Sequence, residues 1–188
     1  MKKTAIAVAL LAVAALINLP ARADDFSDTV SVFQNAGASS KFFSTSYGYA
    51  VFPTIGKGGI GVGGSFGKGR VYAHGKYVGD TTMTQLTVGL QLGGQAFSEI
   101  IFFEDERSFK DFTSGNFEFS AQASAVAITA GASASASTNG SGAGASGGKK
   151  DATTAGHYYK GTAIFSVAKG GLMYEAALGG QKFTYKPL

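Results

Sequence analysis

Tyr47 to Arg70 reads YGYAVFPTIGKGGIGVGGSFGKGR, and the fold turns on how this stretch is taken. Its start is a strand: Tyr47, Tyr49, Val51 and Phe52 are the aromatic and β-branched types that suit a pleated, half-buried surface. Pro53 has no amide to give to a ladder, so it marks an edge, a strand start or a bulge. Glycine then occupies positions 56, 58, 59, 61, 63, 64, 67 and 69. Such density implies positive φ, bulges, or a ligand or second backbone packed close. Lys57, Lys68 and Arg70 sit among these glycines without an acid. The stretch therefore reads as a tight, cationic, glycine-rich β-turn region and as the working surface.

The flanking segments follow from periodicity. Asp24 to about Ser46 is a helical entry in which Phe26, Val30 and Phe33 recur at i, i+4 and i+7, and Ser39-Ser40 caps a second short helix carrying Phe42 and Phe43. Val71–Lys76 and Thr81–Leu92 read as strands, with Gly79-Asp80 as a hairpin link. In the second, Leu86, Val88, Leu90 and Leu92 alternate with Gln85, Thr87, Gly89 and Gln91, so one face points inward and the other is wet. Ala96–Phe103 is a buried strand in which Glu99 needs a partner or an outward register. Asp105–Thr113 is a short helix with Phe109 and Phe112 toward the core, stopped by Ser114-Gly115. Asn116–Ala127 returns to strand, residues 129–155 form a Gly/Ala/Ser-rich flexible loop, and Tyr158–Ala168, Leu172–Leu178 and Gln181–Tyr185 are further strands. The sum is an α+β, β-rich fold: an antiparallel sheet, closed or sandwiched, with an N-terminal helix and one short internal helix.

The chain has 188 residues and no cysteine, which suits one domain and excludes disulfides and thiolate metal sites. Residues 1–23 read as a cleavable secretory signal: Lys2 and Lys3, the apolar run Ala5–Ile17, then Ala21-Arg22-Ala23. The apolar run is shorter than the roughly 20 residues a membrane span needs. Residues 24–188 are then one domain, exported to the periplasm. Without Lys2, Lys3 and Arg22 the sixteen basic residues become thirteen against twelve acidic ones, a net of +1, so nothing global indicates a nucleic-acid binder. Charge is instead segregated. Thr29–Gly79 holds Lys41, Lys57, Lys68, Arg70 and Lys76 and no acid, while Glu99–Asp111 is mostly acidic.

Catalytic patterns fail on context. Gly56-Lys57-Gly58-Gly59-Ile60-Gly61 satisfies G-x-G-x-x-G, but the glycines after it prevent the helix whose N-terminus would hold a pyrophosphate. Gly67-Lys68 lacks the P-loop spacing. His74 and His157 are the only histidines and neither has a ligand-spaced companion, so no metal, cofactor or small-molecule substrate is indicated. No serine has a nucleophile-elbow context, and the chain does not read as an enzyme. Lysines on glycine-rich turns with exposed amides suit phosphate groups, and equally suit plain solvation; the residues alone leave both open.

Tyr47–Pro53, Gly56–Gly59, Gly67–Arg70, Leu90–Gln95, Ile100–Phe103 and Ser166–Leu172 together resemble the blocks of the SYLF family of lipid-binding domains, in order. That resemblance, spanning roughly Phe33 to Lys186, implies a membrane-surface partner. Eukaryotic members are phosphoinositide-binding modules; a periplasmic member meets another anionic lipid. The expected site is Lys41, Lys57, Lys68, Arg70 and Lys76, with Phe42 and Phe43 adding apolar insertion. The alternative is a structural or adhesive β-rich cell-envelope protein with an envelope protein partner, and a small outer-membrane barrel is a third class.

Overall fold

The computed structural model describes residues 23–89, 95–119, 126–128, 158–169 and 180–188. Among these residues three helices, α1 (Ala23–Asn35), α2 (Phe42–Thr45) and α3 (Glu106–Thr113), accompany seven strands: β1 (Gly48–Ala73), β2 (Lys76–Gly89), β3 (Gln95–Phe103), β4 (Phe117–Glu118), β5 (Val126–Ile128), β6 (Thr162–Lys169) and β7 (Lys182–Pro187). All seven lie in one sheet, ordered β4-β7-β2-β1-β3-β6-β5. Every described pairing is antiparallel except β5 with β6, which is parallel. The β-rich antiparallel expectation holds. Among the described residues there is a single curled sheet whose end strands, β4 and β5, are not paired with each other.

A straight strand of 26 residues would reach about 85 Å, too long for a domain of this size. β1 instead doubles back. Its first arm, Gly48–Lys57, pairs with β3, and its second, Gly61–Ala73, pairs with β2. Along the fold, Tyr49 stacks on Tyr72 with ring centroids 4.9 Å apart, and a Cβ on Gly69 would lie 2.6 Å from the Phe52 ring. The bend falls at Gly59, whose φ is +145° and where a Cβ would lie 2.3 Å from the Gly63 Cα. Glycine is needed here for both backbone and space. The glycine-rich stretch is therefore one turn and one strand arm, not a succession of turns, because alternate glycines face inward and leave room for Phe52 and Ile55. Pro53 sits at the register shift between Phe52 and Ile55, where a missing amide costs no ladder bond, and its carbonyl accepts from Ser98 Oγ at 2.7 Å.

The hairpin between β1 and β2 turns at His74 (φ 49°) and Gly75 (φ 76°), five residues before the expected Gly79-Asp80. Positive φ at both central residues matches strand twist. Gly79 lies inside β2, where a Cβ would meet the Tyr185 ring at 2.5 Å. The expected orientation of β2 is inverted. Met83 and Gln85 point inward and are buried, whereas Leu86 is 84% exposed. Register decides this, since Met83 opposes both Gly67 and Phe183 and fills the space they leave.

The sheet is curled, with a core on each face. Inside lie Phe52, Ile55, Met83, Phe97, Ile101, Phe103, Phe183 and, from α3, Phe112. α3 has the expected capped start: Asp105 Oδ1 accepts from the Ser108 amide at 2.8 Å, and Ser108 Oγ in turn accepts from the Asp105 amide. On the outer face α1 and α2 lay Phe26, Phe33 and Phe42 against Val51, Ile100, Phe102 and Phe165. Full burial of each such ring contributes roughly 1.5–3 kcal/mol. Ala96–Phe103 and Tyr158–Ala168 are strands much as read, the latter beginning at Thr162. Residues 1–22, the Gly/Ala/Ser segment 129–155 and the strand read at 172–178 lie outside the described residues.

Candidate functional site

The strand register sorts the cations. Residues of β1's second arm at even positions share the outer face: Phe66 opposes Thr84, Lys68 opposes Thr82, and Arg70 opposes Asp80. β7 continues these rows, with Thr84 opposing Lys182, Thr82 opposing Thr184, and Asp80 opposing Lys186. Backbones two strands apart are about 10 Å from one another. Lys68, Lys182 and Lys186 therefore form one cationic field on the part of the outer face that α1 and α2 leave uncovered, with Arg70 at its edge against Phe26 of α1. Lys169 extends it from β6, its Nζ donating to Thr54 Oγ1 at 2.8 Å. The four lysines are exposed and Arg70 is half-buried.

Two carboxylates moderate the field. Glu118 lies 3.7 Å from Lys182 Nζ, and Asp80 Oδ1 accepts from the Tyr77 hydroxyl at 2.6 Å. That hydrogen bond pushes the Tyr77 phenol above its ordinary pKa. The Arg70 guanidinium lies 4.3 Å over the Phe26 ring and 4.9 Å over Tyr77. These stacking contacts hold it flat on the surface while its charge persists.

Of the cations expected from sequence, Lys68 and Arg70 belong to this field. Lys57 pairs with Gln95 two residues beyond Ile55, so it falls on the inward side near the Gly59 bend and is half-buried. Lys76 lies beside the His74-Gly75 turn and opposes Ala73, five residues or about 17 Å along the hairpin from Lys68. Lys41 precedes α2, its Nζ 5.3 Å over the Phe42 ring. Phe42 is 2% exposed and stacks on Phe102 at 5.5 Å, so it is core and unavailable for insertion. Phe43 is half-buried, edge-on to Phe102 at 4.9 Å. Lys169, Lys182 and Lys186 were missed because they lie a hundred or more residues from Lys68 in sequence. For Lys182 and Lys186 the available signal was their alternation with Phe183 and Tyr185.

The inner face carries a second polar feature. Ser65, Gln85, Glu99, Ser166 and Gln181 are all buried. Gln181 Nε2 reaches Glu99 Oε2 at 3.4 Å from the β7 side, although β2 and β1 stand between β7 and β3 in the sheet. This contact spans the curl. Burial pushes the Glu99 carboxyl up to about 8, against a smaller lowering by Gln181, so the acid is neutral at pH 7. Among the described residues no group of three or more His, Cys, Asp or Glu converges on a metal-sized site, and no helix is long and apolar enough to cross a membrane.

A curled sheet with an apolar core that encloses a small polar cluster and an exposed cationic face is the build of a binding domain. A family model described as Ysc84, "Las17-binding protein actin regulator", matches residues 84–186, more than half of the chain. The chain belongs to this family, the SYLF family that its sequence blocks resemble, and the family is one of binding domains linked to actin regulation and lipids. It is also 26% identical over 156 residues to Beta cell expansion factor A of Aeromonas veronii, covering 82% of this chain and 51% of that protein. The chain spans about half the length of that curated relative.

Proposed function

We propose that this protein is a non-enzymatic, periplasmic domain that binds anionic phospholipid head groups at a membrane surface. The observation that supports it is the field of Lys68, Arg70, Lys169, Lys182 and Lys186 on an uncovered sheet face. Each such charge near an anionic surface contributes about 1 kcal/mol. Asp80 and Glu118 offset part of this, leaving a weak attraction of a few kcal/mol that salt screens within a Debye length of about 10 Å. Lys41, Lys57 and Lys76 act at a distance from this face. The ligand is an envelope phospholipid, since the signal read in residues 1–23 exports the chain away from cytosolic phosphoinositides.

The test is pelleting of the mature protein with phosphatidylglycerol vesicles against phosphatidylcholine vesicles. Lys68→Glu/Lys182→Glu/Lys186→Glu abolishes pelleting with circular dichroism unchanged, whereas Lys76→Glu leaves most of it. Equal pelleting with both lipids, or an unaffected triple variant, sinks the reading and brings the structural envelope protein forward.

A further inference from the structure

One end of the β1–β2 hairpin is built inside out. At the Gly59 bend the inward residues are polar: Ser65 is 5% exposed and Gln85, its cross-strand partner, 7%. On the outward side the residues are apolar, with Leu86 84% exposed and Val62 67%. Leu86 opposes Gly64 and Val62 opposes Val88, so Val62 and Leu86 are diagonal neighbours on one face. Half-buried Phe66 continues that face toward Lys68. A slip of one residue would bury Leu86 and expose Gln85, the arrangement water favours. The fold keeps the opposite one.

This end also lies beyond the neighbouring ladders. β7 accompanies β2 as far as Thr84, and β3 accompanies β1 as far as Lys57. Among the described residues the rungs from Gly61–Gly89 to Ser65–Gln85 are flanked only by the returning first arm of β1 at the Gly59 bend. Scattered exposed apolar side chains need no explanation. Two adjacent ones beside the Gly59 bend, backed by buried polar groups, follow the pattern of a sheet wall set in hydrocarbon, polar within and apolar without.

We propose that the Val62–Leu86 end of this hairpin enters the acyl region of an anionic bilayer, with the lysine field held at the head groups. This deepens the lipid-surface reading and rests on it. The charge sequence along the hairpin fits: Val62 and Leu86 lie at the tip, Phe66 follows, and Lys68 stands six residues, about 20 Å, from Val62.

The chain contains no tryptophan, so single-tryptophan variants report their own surroundings. Leu86→Trp is compared with Tyr159→Trp, an exposed position at the opposite end of the sheet. With phosphatidylglycerol vesicles the Leu86→Trp emission shifts to the blue and is quenched by acyl-brominated lipid, while Tyr159→Trp changes little. Val62→Asp and Leu86→Asp each weaken vesicle binding about tenfold without altering the melting temperature by more than a few degrees. If vesicles pellet the protein but the Leu86→Trp emission stays that of water, insertion is overturned and the surface reading survives. If vesicles pellet nothing, both fall. A blue shift that needs no vesicles and grows with protein concentration overturns insertion in favour of a second copy of this chain.

Discussion

Replacing Glu99 by Gln should remove most of the pH dependence of this protein's stability between pH 5 and 8. Glu99 is wholly buried, and among the described residues no cation pairs with it; its neighbours are Phe52 and Ser166 across the strands and Gln181 at 3.4 Å. In the unfolded chain the carboxyl titrates at its ordinary 4.5, and in the fold at about 8. Between these values the unfolded state binds fewer protons than the folded one, so stability falls as pH rises, by up to about 1.4 kcal/mol per pH unit. Across the window the loss is about 5 kcal/mol, comparable with the whole stability of a marginal domain. Below 4.5 and above 8 the contribution is flat. Gln at position 99 keeps a carbonyl to accept from Gln181 and has nothing to ionise. Urea unfolding at pH 5.5, 7 and 8.5 measures this, with the wild-type midpoint falling and the Glu99→Gln midpoint almost constant. A wild-type midpoint that does not fall, or a variant that tracks it, would refute the reasoning.

The glycines separate by what stands over them. Gly69→Ala sets a methyl 2.6 Å from the Phe52 ring and 2.9 Å from Thr81 Cγ2, and should cost about 1–3 kcal/mol by thermal melting. Gly56→Ala meets nothing within 4 Å and should be neutral or stabilising by up to about 1 kcal/mol. Phe42→Ala should destabilise by about 3–5 kcal/mol, far more than loss of a surface insertion residue would. Asp105→Ala removes the cap of α3 and should lower the melting temperature. Hydrogen bonds from Ser108 hold the Asp105 carboxyl below its usual pKa, so the wild-type advantage over Asp105→Ala should fade as pH drops through that lowered value.

Much of the architecture was legible in the chain itself, because the information lay within a few residues. The apolar run Ala96–Phe103 and the spacing of Phe109 and Phe112 reflect local geometry and each produced the element it implied, whereas the glycine run after Phe52, read as a turn region, became one turn and a strand arm. The family blocks were equally readable, since they are short and in order. Tertiary structure decided what depends on pairing. Leu86 and Gln85 alternate identically in either register, and only Met83 packing between Gly67 and Phe183 turned Leu86 outward. The same pairing placed Lys182 and Lys186 beside Lys68, and sent Lys57 and Lys76 elsewhere. Burial is likewise collective: an aromatic such as Phe42, whose helix is preceded by Lys41 rather than by the serine cap expected, looks the same whether it meets solvent or Phe102. Composition supplies apolar and charged groups, but which face each occupies is set by strands whose sequence separation exceeds any local pattern.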